Sequence, residues 1–148
     1  MKLLDFAPEY EQDFYEMCQA FFSSPAVCHA ISLEAMKTTF QTAINASPFM
    51  RGLVLEKENQ VIGYLLLSFT YSNEVGGNVV WIEELYLKEN FRNQGYGKQA
   101  LQWVFHEYQS TSKRFRLEVT KENEGAKKLY QALGFVPLPY EQMVIDQE

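Results

Sequence analysis

The chain has few of the residues that would place it in a disulfide-bonded or metal-binding class. It has two cysteines, Cys18 and Cys28, which form no Cys-x-x-Cys motif, and two histidines, His29 and His106, which lie far apart. One pair of cysteines is too few for a disulfide framework, and the histidines lack the spacing of metal ligands. The sequence therefore predicts reduced thiols, a cytoplasmic protein and no bound metal.

Long apolar runs and an excess of basic residues are also missing. The longest apolar run, Val61 to Phe69, is far shorter than the roughly 20 residues that a membrane helix needs, and acidic residues come too early for a signal peptide. The formal net charge is −6. Broad nucleic-acid binding requires a basic face, so we expect neither a membrane nor a nucleic-acid partner, whereas a cationic substrate would suit the chain.

The order of periodic segments predicts an α/β or α+β domain on a mixed sheet. Apolar residues recur at helical spacing in four stretches, and alternating or apolar stretches between them predict strands in the order β-α-α-β-β-β-α-β-α-β. Ser32 is the predicted N-cap of the second helix, and Gly134 is the predicted end of the fourth. No repeat or linker divides the chain, so residues 1–148 are expected to form one domain.

A glycine loop joins a strand to a helix in the segment ENFRNQGYGKQA, which starts at Glu89. The first N–H groups of a helix have no intrahelical partner, and the helix dipole adds positive potential there. Gly95 and Gly97 let the backbone approach an anion closely, while Arg92 and Lys98 add positive charge. This segment therefore predicts an anion site, most naturally for a phosphate.

Three phosphate-binding patterns compete for the loop. A Walker A loop fails, because Arg92 stands where its first glycine belongs and neither Ser nor Thr follows Lys98. A dinucleotide fingerprint fits residues 95–100, with Glu118 as its ribose-binding acid, but seven residues, KENFRNQ, separate the strand from the first glycine. The 30 residues after Glu118 are also too few to complete a doubly wound sheet. The third pattern, Arg-x-x-Gly-x-Gly over residues 92–97, is typical of a pyrophosphate loop.

A second motif follows one strand later. Residues 123–135, NEGAKKLYQALGF, fit the pattern Asn-x-x-Ala-x-x-Leu-Tyr-x-x-x-Gly-Phe. With residues 82–101, IEELYLKENFRNQGYGKQAL, and in this order, the chain resembles the GNAT superfamily of N-acetyltransferases. The resemblance implies the GNAT-like acyl-CoA N-acyltransferase fold, with a mixed, mostly antiparallel central sheet of about six to seven strands flanked by about four helices. It also implies acetyl-CoA as cosubstrate.

The resemblance assigns roles to both motifs. Backbone groups of Leu85 and Leu87 would pair with the pantetheine arm of the coenzyme, and Asn123 would hydrogen-bond near its thiol end. Tyr130 would be the general acid that protonates the departing thiolate. The residues implied in coenzyme binding are Leu85, Tyr86, Leu87, Arg92, Asn93, Gln94, Gly95, Tyr96, Gly97, Lys98, Asn123 and Tyr130.

Two carboxylic acids, Glu83 and Glu84, interrupt an otherwise apolar strand. A buried, unpaired carboxylate is costly, so the pair needs an explanation. Strand alternation predicts that the two side chains point to opposite faces and that Glu83 shares a face with Leu85 and Leu87. We therefore expect Glu83 to act as the catalytic base, directly or through a water, and Glu84 to lie at the strand edge or bind a cationic substrate. A solvated or ion-paired role stays open for both.

The expected function is acetyl transfer from acetyl-CoA to a primary amine of a small molecule or peptide. Direct attack in a ternary complex is expected, because Cys18 and Cys28 lie outside both motifs. By family analogy, the two N-terminal helices and their linker would form the acceptor wall, which Phe21, Phe22 and His29 could line. The alternatives are a non-catalytic acetyl-CoA-binding sensor and, with less support, a dinucleotide-binding enzyme.

The last apolar segment, PYEQMVID, covers residues 139–146 and is predicted to close the sheet as a strand. The same segment could supply an interface strand. Dimers are the commonest oligomers, so a homodimer stays open.

Overall fold

Five strands and four helices build the fold, in a computed structural model that describes residues 1–147. The strands are β1 (Lys2–Asp5), β2 (Met50–Lys57), β3 (Gln60–Ser72), β4 (Gly77–Leu87) and β5 (Arg114–Leu117). The helices are α1 (Glu11–Phe22), α2 (Leu33–Ile44), α3 (Tyr96–Tyr108) and α4 (Glu124–Ala132).

The strands form one sheet in the order β1-β2-β3-β4-β5. Neighbours from β1 to β4 pair antiparallel, and β5 pairs parallel with β4 after the crossover through α3. This confirms the predicted mixed, mostly antiparallel sheet with about four helices, although the described residues form five strands instead of six to seven.

The predicted closing strand at residues 139–146 is wrong. Residues 136–147, which we call the C-terminal tail, form neither helix nor strand. Pro137 and Pro139 explain part of this, because proline has no backbone N–H to donate to a ladder and residues two apart face the same neighbour.

Each face of the sheet packs on its own pair of helices. On one face, Phe14 of α1 and Phe40 of α2 are fully buried and pack with Tyr64 of β3. On the other face, Leu101 and Val104 of α3 are fully buried against the sheet. Alternate side chains of β3 thus pack against helices on opposite faces, and β4, which pairs with β3, lies between the same two layers.

The cap predictions at two helices are confirmed. The Ser32 hydroxyl accepts a hydrogen bond from the Ala35 N–H at 3.1 Å. After α4, Gly134 has a positive φ of 96°, and the Phe135 N–H reaches back to the Tyr130 carbonyl at 3.0 Å. This C-terminal turn also brings the Phe135 ring onto the Tyr130 ring, at 5.9 Å between centroids, and so helps to orient Tyr130.

Candidate active site

A cleft of about 380 Å³ opens where β4 and β5 part. The two strands pair from Val79 to Ile82 of β4, and β5 then ends at Leu117 while β4 continues to Leu87 along β3. The cleft is lined by Phe21, Ser24, Pro25, Ala26, Ile82, Glu83, Glu84, Leu85, Tyr86, Leu87, Arg92, Glu118, Val119, Glu122, Asn123, Ala126 and Tyr130.

The β4 backbone presents an edge without a strand partner to the cleft. Residues 83–87 pair with β3 on one side, and within residues 1–147 no strand pairs with their other side. Backbone N–H and C=O groups on such an edge are strong hydrogen-bonding groups that an extended ligand with amide groups can pair with as an added strand. The structure thus places Leu85, Tyr86 and Leu87, the residues predicted to bind the coenzyme arm, in the cleft lining.

The glycine loop turns tightly into α3. Gly95 has a φ of 85° and Asn93 a φ of 60°, both in the left-handed region. The first intrahelical bond runs from the Gln99 N–H to the Gly95 carbonyl at 3.0 Å, so the N–H groups of residues 96–98 precede it. The backbone of such a turn, which we call the anion cradle, can bind an anion without side chains. None of residues 93–98 lines the cleft itself.

Gly97 lies in close packing with leucine side chains of β4 and α4. A Cβ at this position would lie 3.3 Å from Leu129 Cδ2 and within 4 Å of the Leu85 and Leu87 side chains. Its neighbour Tyr96 is 9% exposed and points into the core. The start of α3 therefore sits directly on β4 and α4, which keeps the anion cradle and the strand edge in a fixed relation.

Arg92 contributes mainly to the order of this junction. Its Nε donates to the Leu87 carbonyl at 2.9 Å, and its guanidinium lies 5.5 Å from the centre of the Tyr86 ring. Cation–π contact and the hydrogen bond tie the loop to the end of β4. Arg92 also lines the cleft, where its positive charge could attract an anionic ligand.

α4 places its two predicted site residues on the opposite wall. Asn123 caps this helix, because its Oδ1 accepts from the Ala126 N–H at 3.2 Å, and its amide N–H groups remain available to a ligand. Tyr130 is half-buried and lines the cleft, and burial raises the pKa of its hydroxyl. A raised pKa keeps the phenol protonated at neutral pH, which is the form that a general acid needs.

Glu83 and Glu84 lie on the same face of the sheet, so the prediction of opposite faces is wrong. A β-bulge sets Leu66 opposite Glu84 and Leu67 opposite Ile82, which leaves Glu83 as the extra residue. A bulge breaks the alternation locally and re-aims a side chain. Both carboxylates consequently bond to hydroxyls on the face that α1 and α2 cover.

The two acids differ in their hydrogen-bond partners and in their burial. Glu83 is exposed and accepts from the Ser68 hydroxyl. Glu84 is half-buried and accepts from the Tyr64 hydroxyl at 3.2 Å, with the Cys18 thiol beside Tyr64. Ser68 and Tyr64 are at alternate positions of β3 with Leu66 between them, so their side chains share this face.

The environment of Glu84 shifts its protonation into the neutral range. Burial and the nearby charge of Glu83 raise the pKa of the Glu84 carboxyl to about 7, against the lowering effect of the Tyr64 hydrogen bond. The same burial, with the charge of Glu84, raises the pKa of the Cys18 thiol to about 12. The cleft thus contains a carboxyl that can accept and release a proton near pH 7.

Of the three residues predicted for the acceptor wall, one lines the cleft. Phe21 lines the cleft, whereas Phe22 packs into the α1–α2 core and the exposed His29 lies outside the lining. Sequence reasoning did not identify Tyr64 as the partner of Glu84. Its hydroxyl reaches Glu84 diagonally, since Tyr64 itself is opposite Tyr86, and this contact depends on the register next to the bulge. Sequence reasoning also did not place Glu118 and Glu122 in the cleft wall as acids.

A larger cavity of about 850 Å³ lies elsewhere, beside the first residues of β2. Its one arginine, Arg51, is paired with Asp5 at 2.7 Å and Glu107 at 3.2 Å. The two cavities have no lining residue in common. Both reach β4, the larger one at Val80 and the β4–α4 cleft at Ile82. The larger cavity contains none of the predicted site residues. Nine of them line the smaller cleft, whereas residues 93–98, Phe22 and His29 lie outside its lining.

The sheet and the helices also bear on the dinucleotide-binding alternative and on a membrane span. The sheet has one parallel pair, β4 with β5, within residues 1–147, which is not the doubly wound sheet of a dinucleotide fold. Across the same residues, no helix combines the length and apolarity required to cross a bilayer.

Comparison with known proteins agrees with this geometry. Residues 9–135 match the model of the acetyltransferase (GNAT) family. A thialysine N-epsilon-acetyltransferase from Sus scrofa is 31% identical over 113 residues, which cover 70% of this chain and 64% of that protein, so the chain spans less than two thirds of that relative.

Solved structures with low sequence identity share the fold. A possible acetyltransferase from Clostridium difficile 630 superposes with a TM-score of 0.82 at 14% identity, over 99% of this chain and 97% of the other. An aminoglycoside N-acetyltransferase in complex with CoA superposes with a TM-score of 0.74 at 16% identity, over 99% and 93% of the two chains.

Proposed function

Because the chain belongs to the acetyltransferase (GNAT) family, we propose that it is an acetyl-CoA-dependent N-acetyltransferase that acetylates a primary amine. One observation carries the proposal: the half-paired edge of β4, a half-buried phenol on α4 and a carboxyl that titrates near pH 7 line one cleft. We propose residues 1–148 as the catalytic unit, and the free thiols of Cys18 and Cys28 fit the cytoplasm.

The residues fit the coenzyme along its length. Acetyl-CoA supplies an activated thioester at the end of an amide-containing arm, with a diphosphate further along. The backbone of Leu85 and Leu87 would bind the amides, and the N–H groups of residues 96–98 at the start of α3 would bind the diphosphate. Asn123 would donate its amide N–H near the thiol end.

Proton movement is divided between the two walls of the cleft. The proposed base takes a proton from the acceptor ammonium, so that the nitrogen lone pair can form the new bond to the acetyl carbon while the carbon–sulfur bond breaks. Tyr130 gives its proton to the departing sulfur. Glu83 was the base expected from the sequence, and it remains a candidate. The pKa of about 7 favours Glu84, because a base titrating near the working pH is the most effective.

Direct transfer within a ternary complex is the favoured route. Cys18 is buried and its pKa is raised to about 12, so its thiol stays protonated and unreactive, and the exposed Cys28 does not line the cleft. Incorporation of labelled acetyl groups into the protein during turnover would contradict this route.

The cleft favours a small amine with a second positive charge. Four acids line it, Glu83, Glu84, Glu118 and Glu122, against the single cation Arg92. Phe21 and Tyr86 add an aromatic wall, 6.3 Å between ring centroids, on which an alkyl chain can lie. The relative from Sus scrofa is named for N-epsilon acetylation of thialysine, and an amine at the end of a flexible chain is the class we propose here.

A coupled assay of thiol release tests the proposal. With acetyl-CoA and a panel of monoamines, diamines, amino acids and peptides, we expect turnover for diamines or side-chain amines. Tyr130→Phe should lower kcat by about 10- to 1,000-fold and leave the dissociation constant for CoA within about twofold.

Two results would favour the alternatives. Tight binding of acetyl-CoA with no turnover for any amine in the panel would point to a sensor. Thermal stabilisation by NAD and not by CoA would point to a dinucleotide enzyme.

A further inference from the structure

Among residues 1–147, Tyr64 is the one buried residue with a side-chain oxygen in the core between the sheet and helices α1 and α2. The other buried residues of this core are Phe6, Phe14, Met17, Cys18, Met36, Phe40, Val54 and Leu66. A buried hydroxyl is costly unless it forms a hydrogen bond, and phenylalanine would fill the same space without one. The Tyr64 hydroxyl therefore needs an explanation other than packing.

Aromatic contacts fix the ring of Tyr64 on several sides. The side chain is fully buried and stacks on Tyr86, with 5.8 Å between ring centroids. Phe14 and Phe21 meet it in T-shaped contacts, at 5.2 Å and 6.4 Å between centroids. A ring packed in this way has little freedom to move, and the position of the phenolic oxygen follows from that of the ring. The hydroxyl is therefore a hydrogen-bond donor at a fixed place.

The register of β3 and β4 directs this hydroxyl to Glu84. Tyr64 lies opposite Tyr86, and Leu66 lies opposite Glu84. Tyr64 and Glu84 are therefore diagonal neighbours, and the hydroxyl donates to Glu84 Oε2 at 3.2 Å. Glu84 lines the cleft and Tyr64 does not, so the hydroxyl contacts the carboxylate from behind the cleft wall.

The other titratable groups around Glu84 come from several elements. Those that share the cleft lining with it are Glu83, Tyr86, Arg92, Glu118, Glu122 and Tyr130. Behind the wall, α1 contributes the Cys18 thiol, which lies beside the Tyr64 hydroxyl and whose pKa is raised by burial to about 12. The buried residues of α2 on this face, Met36 and Phe40, are apolar. Since the thiol is uncharged near pH 7, the neighbour behind Glu84 that can stabilise its charge is Tyr64.

The Tyr64 hydroxyl opposes the surroundings that keep Glu84 protonated. Burial raises the pKa of Glu84, the Tyr64 hydrogen bond lowers it, and the charge of Glu83 raises it. The hydroxyl can also bond to the protonated acid, by accepting its hydrogen and turning its own hydrogen towards the Cys18 sulfur, which is a weak acceptor. A carboxylate is the stronger acceptor, so the hydroxyl favours the ionised form of Glu84. That form is the one that can take a proton.

We propose that Tyr64 is a positioning residue for acetyl transfer, whose hydroxyl holds Glu84 Oε2, leaves the other carboxylate oxygen to the cleft and favours the form that receives the proton. This inference rests on the proposed function, with Glu84 as the base. In that step an N–H bond of the acceptor ammonium breaks, its electron pair stays on nitrogen, and the proton forms an O–H bond on Glu84. Tyr64 keeps its own proton, because burial and the charge of Glu84 raise its pKa.

Tyr64→Phe tests the proposal through the pH dependence of turnover. The variant keeps the ring and loses the hydroxyl, so the midpoint of the rise in kcat/KM for the best amine should move up by about one pH unit. At pH 7 the loss in kcat/KM is then about fivefold, and it becomes smaller as the pH approaches about 9.5. A loss that is equal at every pH, with an unmoved midpoint, overturns the proposal.

Tyr15→Phe is the matched control. The Tyr15 hydroxyl also donates to a glutamate, Glu11, at 2.8 Å, and Tyr15 belongs to the same α1–α2 layer, but neither residue lines the cleft. This variant should follow the wild-type pH profile. A shift as large as that of Tyr64→Phe would mean that any lost hydroxyl in this layer moves the profile, and it would overturn the proposal.

Carbon-13 NMR of protein labelled in its glutamate carboxyl groups separates this inference from the proposed function. The Glu84 signal, identified by its absence from Glu84→Gln, is titrated in the free protein without coenzyme or amine. Its midpoint should lie about one pH unit higher in Tyr64→Phe than in the wild type and in Tyr15→Phe. An unmoved midpoint overturns the inference alone, whereas a wild type that acetylates no amine in the panel overturns the proposed function.

Discussion

Two consecutive glutamates in one strand have different chemistry because their surroundings differ. Glu83 bonds to Ser68 at the exposed surface, and Glu84 bonds to Tyr64 inside the wall of the cleft. Burial raises the pKa of Glu84 to about 7, and the adjacent Glu83 charge adds to the effect. The roles of the two acids can therefore be separated by pH.

Comparison of Glu84→Gln with Glu83→Gln tests which of the two glutamates is the catalytic base. If Glu84 is the base, kcat/KM of the wild type rises through about pH 7, and Glu84→Gln lowers it by about 100-fold and removes this rise. Glu83→Gln should keep the rise and lose less activity. The measurement is kcat/KM for the best amine from pH 5.5 to 9, and the reverse pattern would make Glu83 the base.

Protein stability provides the control for Glu84→Gln. A carboxyl whose pKa is raised on folding is less favourable as the ion, so the wild type loses stability as pH rises from about 4.5 to about 7 and stays lower above that. Glu84→Gln should be more stable than wild type above pH 7, by up to about 3 kcal/mol, with the difference vanishing near pH 4. Loss of activity with gain of stability would exclude misfolding as the cause.

At the scale of the elements, β4 pairs with β3 along one edge and faces the cleft with its other edge. The two strands approach closely at Gly63, where a Cβ would lie 2.2 Å from the Tyr86 carbonyl oxygen of β4. The distance between β3 and β4 thus determines where the binding edge lies.

Gly63→Ala should disturb both stability and coenzyme binding. Because the methyl group would overlap backbone, the strands must separate, and we expect a loss of about 2 kcal/mol or more with weaker CoA binding. Gly125→Ala in α4 is the matched control, since no heavy atom lies within 4 Å of its Cβ position, and it should stabilise by about 0.5 kcal/mol. Urea denaturation and calorimetric titration with CoA give the two quantities. Equal behaviour of the two variants would mean that β3 and β4 can adjust freely here.

On the scale of the whole molecule, the net charge of −6 and the acidic cleft act in the same direction. A cationic substrate would be attracted by the overall field and bound by the local carboxylates. Salt weakens these attractions, most strongly between charges farther apart than a Debye length, which is about 10 Å at 0.1 M. A neutral substrate would be insensitive to this field.

Salt dependence should therefore rank amines by charge. From about 0.05 to about 0.5 M NaCl, kcat/KM for a diamine is expected to fall several-fold more than for a monoamine of the same length, mainly through KM. Replacing Glu118 and Glu122 together by glutamine should reduce this slope while leaving the catalytic residues in place. Equal slopes for monoamine and diamine would argue against a doubly charged acceptor.

The sequence anticipated much of the fold because its signals are local. Ser32 and Gly134 were identified from cap preferences, and each is confirmed by a hydrogen bond or a positive φ at that position. The closing strand was not anticipated correctly, because strand preference in residues 139–146 gives no information about whether a sheet edge is within reach for pairing. The faces of Glu83 and Glu84 were wrong for a related reason, since a bulge is a property of a strand pair.

The sequence by itself determined the order of elements, the glycine loop at the start of α3 and the α4 motif that carries Asn123 and Tyr130. These depend on the spacing of residues along one chain, which periodicity and capping report directly. Three features were decided only by the tertiary structure. The pairing of β4 with β5 ends at Ile82, Glu83 and Glu84 lie on one face, and the Tyr64 hydroxyl donates to Glu84. Such features arise from pairing between segments distant in sequence, where register and burial set the chemistry of each side chain.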